Sequence, residues 1–397
     1  MRYESFSIRI EPSSGDSYAV SVQSPRGEGQ GTFQLPRQPP AALDAGKEMF
    51  RALFKEEVAN LFHSSLGSLR GRHHGLRISI SINPRCPELA PLQKLPWELL
   101  CRPETEDFLC LSRSTPVVRS LEAHRERRPA TARPARLRIL AVEASPKDGV
   151  ALDVAQERAH LEKAWSQLRD VEIVFMKHGG VEEMRQAFLA TPFHILHFMG
   201  HGTFDEESGD GVLLFEQYDG TGQAFEGRRL VQLLRDFESL RLVVLNACHT
   251  AEAVGRHGPN PFAGAASSLV MGGVPAVVAM SGPVSDVAAV AFSRTFYQRL
   301  AAGDTLEAAM TEGRLAIQRA DPEDGAWAIP NLFLRSSDGT LFAPHSTVWA
   351  RRAALLAGLA MAFALICLLA SGWLRERRSA EVMRLANDGI GLLQLGR

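Results

Sequence analysis

The sequence predicts an α/β fold built on a mostly parallel sheet with helices on both faces, followed by one transmembrane helix. Three observations lead there. Between residues 137 and 319, short apolar runs closed by turn residues alternate with stretches of helical spacing. Near the C-terminus no charge occurs for 22 positions, 353–374. The composition is otherwise that of a globular protein, with 45% apolar and 22% charged residues in 397.

Residues 1–118 read as a first lobe of small α+β type. Strand-like runs such as LRISISI (76–82) accompany a helical segment near Ala42 to Ser65. Residues 119–136 change character. Arg119, Arg125, Arg127, Arg128, Arg133 and Arg136 stand among Pro and Ala, the pattern of an exposed basic linker. A processing site or a contact with a lipid surface is the alternative for such a run.

Residues 137–345 are regular. LRILAVEASP (137–146), VEIVFMKHGG (171–180), HILHFMGHG (194–202), LRLVVLNAC (240–248) and PAVVAM (275–280) are five buried strands. Ala155 to Leu168, Val181 to Ala190, Asp286 to Leu300 and Thr305 to Arg319 are helices. VLLFEQYDGTGQAFEG (212–227) turns about Tyr218-Asp219-Gly220 and predicts a hairpin.

The uncharged run ALLAGLAMAFALICLLASGWL within 353–374 is long enough to span a bilayer, which takes about 20 residues. Arg351 and Arg352 precede it, Trp373 sits at its end, and Arg375, Arg377 and Arg378 follow, as interfacial anchors do. A buried core helix is the alternative, but such helices seldom lack a polar side at this length. Residues 375–397 have helical spacing and form a short tail. The N-terminus has no basic region followed by an apolar core, so the sequence predicts a single-pass membrane protein with its large domain in the cytoplasm. The arginines after the span argue for the opposite orientation.

A net charge of −1 gives no general attraction to nucleic acid, and none is expected as a partner. The five cysteines, Cys86, Cys101, Cys110, Cys248 and Cys367, have neither zinc-knuckle nor disulfide-ladder spacing, which fits a reducing compartment. No Walker A loop, dinucleotide fingerprint or HExxH motif occurs, so no cofactor and no metal is expected.

In an open parallel sheet, ligands bind beyond the carboxyl ends of the strands. Two such ends carry reactive side chains here: Gly200-His201-Gly202 and Asn246-Ala247-Cys248. A thiol becomes an effective nucleophile at neutral pH when a base such as imidazole lies within hydrogen-bond reach. The bland reading of Cys248 is a small buried apolar residue, and that of His201 is an ordinary loop histidine. Alternation places His197 on the face of His201 and suits it to a supporting hydrogen bond; His249 points away from its neighbour. The loop TFDEESGDG (203–211) gathers acids without EF-hand spacing and reads as a solvated loop, with calcium or a basic substrate as alternatives.

Several segments, in order, resemble the CHAT domain, a branch of the caspase- and separase-like cysteine peptidases. They are LPWELL (95–100), FLCLSRSTPVVR (108–119), HILHFMGHG, EQYDGTGQAFEG, LVVLNACHT, SSLVMGGVPAVVAMSGPVSD and FYQRLAAGDTLEAAMTEGR, spread over roughly Ala42 to Leu341. The resemblance implies a caspase-like three-layer sandwich, with 1–118 as its N-terminal lobe and 137–345 as the catalytic domain. It implies a cysteine endopeptidase with a dyad, His201 as base and Cys248 as nucleophile, and an oxyanion hole from the N–H groups of Gly202 and Cys248. Asp286 would select a basic side chain in the substrate; its alternative is an N-cap, shared with Ser285. The family often carries an aromatic residue where Ser281-Gly282 stands. A protein substrate, a sensor or repeat-protein partner, and a role in bacterial regulated proteolysis or defence follow from the same likeness. The alternative is a catalytically silent scaffold for protein association at the membrane.

Overall fold

The computed structural model describes residues 2–394 apart from 38, 70, 72, 122–129, 149–153, 177–178, 206, 248–259, 283, 322–324, 336–338 and 344. It divides into two units, Met1–Leu341 and Phe342–Arg397.

The first unit is organised by an 11-stranded sheet. Its early strands are β1 (Arg2–Pro12), β2 (Tyr18–Ser24), β3 (Gly27–Phe33), β4 (His74–Ile82) and β5 (Val117–Ser120). Then come β6 (Leu137–Glu143), β7 (Val171–Phe175) and β8 (Ile195–Gly200). A separate antiparallel sheet follows, β9 (Gly202–Asp205), β10 (Asp210–Glu216) and β11 (Gly222–Glu226), the last two forming the expected hairpin. The large sheet is completed by β12 (Leu242–Ala247), β13 (Ala276–Met280) and β14 (Pro330–Leu334). Its order is β7-β6-β8-β12-β13-β14-β5-β4-β1-β2-β3. The five strands from β7 to β13 are mutually parallel, and the five that the sequence predicts are these.

Helices α1 (Ala42–Leu53) and α2 (Glu56–Ser68) belong to the early part of the chain. They divide the segment expected as one helix near 42–65. The break at Phe54 and Lys55, with φ of 42° at Glu56, lets Phe54 stack on Phe50 at 4.3 Å and meet Phe62 at 4.8 Å. Helices α3 (Val154–Trp165), α4 (Val181–Ala190), α5 (Gly227–Leu234), α6 (Pro261–Gly272), α7 (Asp286–Ala302) and α8 (Leu306–Ala320) follow. On one face of the sheet Leu196, Phe198, Val243 and Leu245 are sealed by Met184 and Phe188 of α4, Leu230 of α5, and Phe262 and Leu269 of α6. Each such burial contributes about 1.5–3 kcal/mol. On the other face Trp165 of α3 and Tyr297 of α7 cover His197, and Trp165 Nε1 donates to Ser293 Oγ at 3.3 Å. This is the three-layer α/β sandwich that alternation of strands and helices predicts.

β14 is the strand the sequence does not announce. It runs antiparallel to β13 and parallel to β5, and so joins the five parallel strands to those from the first third of the chain.

Arg119 corrects the expected linker boundary. It lies in β5, and its guanidinium donates to Glu98 Oε1 at 3.1 Å, Glu98 Oε2 at 2.8 Å, Gln93 O at 3.1 Å and Leu95 O at 3.0 Å. Glu98 is wholly buried, and an unpaired carboxylate there would be costly. The LPWELL segment thus has a structural task. Trp97 fills the core against Phe33 and donates from Nε1 to Leu92 O at 3.0 Å, while Glu98 holds β5. Arg133 is engaged too, donating to Ala301 O at 2.7 Å near the end of α7. Arg125, Arg127 and Arg128 lie outside the described residues.

In the second unit a single helix, α9 (His345–Gln394), contains a candidate membrane span, Ala353–Leu385, whose most apolar 18 residues have a mean hydropathy of 2.6. Its length and composition suffice to cross a membrane, since 22 residues rise about 33 Å. The helix passes unbroken through Trp373 into the expected tail, and Arg377 lies over the Trp373 ring at 4.1 Å.

Candidate active site

The sequence-derived site lies where β8 and β12 end. The two strands are adjacent and parallel, and their register closes on the pair Gly200 and Ala247. His201 follows the first of these in the chain and Cys248 follows the second. Cys248 lies outside the described residues, as does His249. His201 is 9% exposed, and its carbonyl accepts the N–H of Leu214 in β10 at 2.9 Å. Gly202 opens β9 and faces Leu213. A methyl group placed on Gly202 would come within 3.2 Å of the Phe262 ring and 3.3 Å of Pro261, so these side chains at the start of α6 pack closely on it.

The chain re-enters the described structure at Asn260, the N-cap of α6. Its side chain accepts from Phe262 N at 2.8 Å and Ala263 N at 3.1 Å, and donates to Met280 O at the end of β13 at 3.3 Å. Pro261 suits the first helical position because its missing N–H has no partner there in any case.

Asp286 begins α7, half-buried, but does not cap it. Ser285 takes that place, accepting from Ala288 N at 3.3 Å and donating to Asp321. No described side chain or backbone group bonds the Asp286 carboxylate, so an N-cap does not occupy it. Ser281 is tied to Ile329 O through both its N–H, at 2.9 Å, and its hydroxyl, at 2.8 Å. Among the described residues nothing lies within 4 Å of where a Cβ on Gly282 would stand.

His197 is separate from this edge. It is 2% exposed, its Nδ1 lies 2.5 Å from Tyr297 Oη, and burial pushes its pKa down to about 3. It is therefore neutral in the folded protein and unsuited to be a second base. Unfolded histidine titrates near 6.5, so between about pH 6.5 and 3 the unfolded chain binds a proton that the folded one refuses. Stability contributed here is present above that window and falls on acidification by about 1 kcal/mol per pH unit. Urea unfolding of wild type and His197→Leu at about pH 7 and about pH 5 should give a shallower loss in the variant. An equal loss would assign the acid sensitivity elsewhere. His194 is also held below its ordinary pKa, by burial and then by Arg138, and its Nδ1 accepts from Arg138 N at 3.0 Å.

The acidic loop is not uniform. The Asp205 pKa is lowered by a Ser208 hydrogen bond at the surface, and Glu207 is exposed. Asp210, by contrast, is 1% exposed and fully bonded, a role indistinguishable by composition from that of its neighbours.

The CHAT domain family model matches residues 45–358, a span that begins and ends slightly later than the motifs alone mark out. No curated protein matches the sequence. Two structures of the Saccharomyces cerevisiae separase–securin complex match at 12% and 11% identity, with TM-scores of 0.38 and 0.36. Each match covers 66% of this chain but only 15% and 16% of the other. With the family model covering most of its length, the chain belongs to the CHAT domain family.

Proposed function

We propose that this chain is a cysteine endopeptidase of CHAT type, tethered to a membrane by residues 353–374 with its catalytic domain in the cytoplasm. The observation that supports the reading is the register of β8 and β12, which ends on Gly200 and Ala247, the residues before His201 and Cys248. Family membership supplies the chemistry.

In this reading His201 takes the thiol proton as the Cys248 sulfur attacks the substrate carbonyl carbon. The N–H groups of Gly202 and Cys248 receive the negative charge that develops on the carbonyl oxygen. The proton passes from His201 to the leaving amine as the C–N bond breaks, leaving a thioester. Water, deprotonated by His201, then hydrolyses the thioester and restores the thiol. Asp286, uncommitted to capping, selects Arg or Lys before the cut bond.

Thiol reactivity tests the dyad. Burial raises the Cys101 pKa to about 11 and the Cys110 pKa to about 12, and the Glu88 carboxylate holds up that of Cys86. These thiols are slow backgrounds at neutral pH, because the thiolate is the nucleophile. Iodoacetamide should label Cys248 at least about tenfold faster than Cys86, and His201→Ala should abolish the difference. Equal labelling of both cysteines, indifferent to His201→Ala, rejects the activated thiol.

A further inference from the structure

We propose that Asp210 is a positioning residue for His201, acting as a clamp that locks α6 to β10 at the edge of the site. The clamp concerns described backbone and side chains; its consequence for catalysis rests on the peptidase reading above.

Asp210 begins β10 with its carboxylate almost wholly buried. Oδ1 accepts from Gly211 N at 2.8 Å and from Ser268 Oγ of α6 at 2.7 Å. Oδ2 accepts from Arg228 N, in the first turn of α5, at 2.9 Å. The Arg228 guanidinium, itself largely exposed, comes to 3.7 Å. One carboxylate thus joins the start of a strand to two helices. Buried charges persist where their acceptor sites are filled in this way.

The backbone is shaped around the same point. A methyl group on Gly211 would lie 1.8 Å from Pro261 O and 2.4 Å from Ala265 N, and one on Gly264 would lie 2.8 Å from Gly211 N. One on Gly227 would meet Ala265 Cα and Asp210 Oδ1, both at 3.0 Å. β10 and α6 therefore approach as closely as bare backbone allows, and Asp210 sits in the seam.

Both partners of the seam bear on the histidine. Four residues along β10 from Asp210, Leu214 N donates to His201 O. At the start of α6, Pro261 and Phe262 rest against Gly202. The peptide groups on either side of Gly202 are held by elements that Asp210 fastens to each other. None of its bonds reaches His201 itself, so its effect is on placement. The approach matters because a displacement of about 1 Å at a reacting group can cost about a hundredfold in rate.

The test combines amide hydrogen exchange with kinetics on the full-length protein in detergent. In Asp210→Asn the shape is kept but one acceptor is lost. Exchange at Thr203, which sits in the hydrogen-bonded pair with Val212, and at Leu214 should rise at least about tenfold while β6 and β7 stay as in wild type. Ser268→Ala, which removes a single bond, should give a smaller rise in the same amides. Gly264→Ala wedges the seam without touching Asp210 and should reproduce the larger rise, which keeps the test valid if Asp210→Asn folds poorly. For the reaction, kcat should fall about tenfold or more with KM within about twofold, and the pH profile of Cys248 labelling should move toward that of His201→Ala. Wild-type exchange at Thr203 and Leu214 in both Asp210→Asn and Gly264→Ala overturns the clamp. So does slower turnover with an unchanged labelling profile and a KM that rises with it. If wild-type labelling proves independent of His201, the peptidase reading falls, and the exchange result alone still decides the clamp.

Discussion

Cys248→Ala is expected to bring cleavage of a peptide library down to background, a loss of about 10⁴-fold or more. Removal of the sulfur leaves no atom to form the thioester, and the residual rate comes only from substrate binding and the oxyanion donors. His201→Ala should fall nearly as far, and the double variant no further, because two groups that act as a unit do not contribute additively. New N-termini mapped across a proteome after parallel expression of wild type and Cys248→Ala would identify the substrates. The same library reads specificity: Asp286→Ala should erode a preference for Arg or Lys while leaving other sites unchanged. Equal cleavage by wild type and Cys248→Ala would exclude Cys248 as nucleophile and leave the fold as a protein scaffold.

Arg119→Ala is expected to destabilise the first unit by about 3–5 kcal/mol, measured by denaturant unfolding near neutral pH. It removes the four bonds that the guanidinium makes and strands a carboxylate with no exposure. Burial works to raise the Glu98 pKa, but Arg119, helped by Arg314, outweighs it and keeps the pKa below the ordinary value. With the folded pKa depressed, the pair's contribution is present above about pH 4.3 and is lost as pH falls through the folded value. In the variant the sign reverses. Burial, the largest influence, is then opposed mainly by Arg314, the folded carboxyl binds its proton first, and mild acidification narrows the gap to wild type. Arg119→Met combined with Glu98→Leu should recover much of the stability, since a buried ion pair is replaceable by apolar groups of similar volume. A loss near zero in Arg119→Ala would return Arg119 to the solvated linker that its neighbours suggest.

The strands that end at Gly200 and Ala247 are legible in the sequence because each is a mostly apolar run, interrupted by His197 in one and by Asn246 in the other, that stops at a small residue. Such runs are what a strand buried on both faces requires. Helix α6 is not legible, and the reason is physical. PFAGAASSLVMG is made of small and apolar residues with no charge, and its partly exposed side carries only Ala263, Gly264, Ser267, Ser268, Met271 and Gly272, too little polar contrast to give a period. Arg119 misleads for the opposite reason. Its local company of arginine and proline is that of solvated chain, and only its pairing with the distant, buried Glu98 shows that it is half-buried in the sheet. Asp210 stands in a run with Asp205 and Glu207, which are surface residues, and composition cannot separate the one acid that turns inward. Asp286 is a near miss of local chemistry. Two adjacent residues favour the N-cap, and Ser285 takes it, which leaves the carboxylate uncommitted.

The antiparallel strand β14 bears on the order in which the protein can be completed during synthesis. Arg119 in β5 and its neighbour Phe333 in β14 are 214 residues apart in the chain (333 − 119). Until residues 330–334 have been made, β5 and β13 each present an open edge in what will become the middle of the sheet. Open edges of apolar strands are templates for pairing with another copy. A nascent chain is therefore exposed to self-association for most of its synthesis, and closure depends on a late, long-range contact of the kind that slows folding.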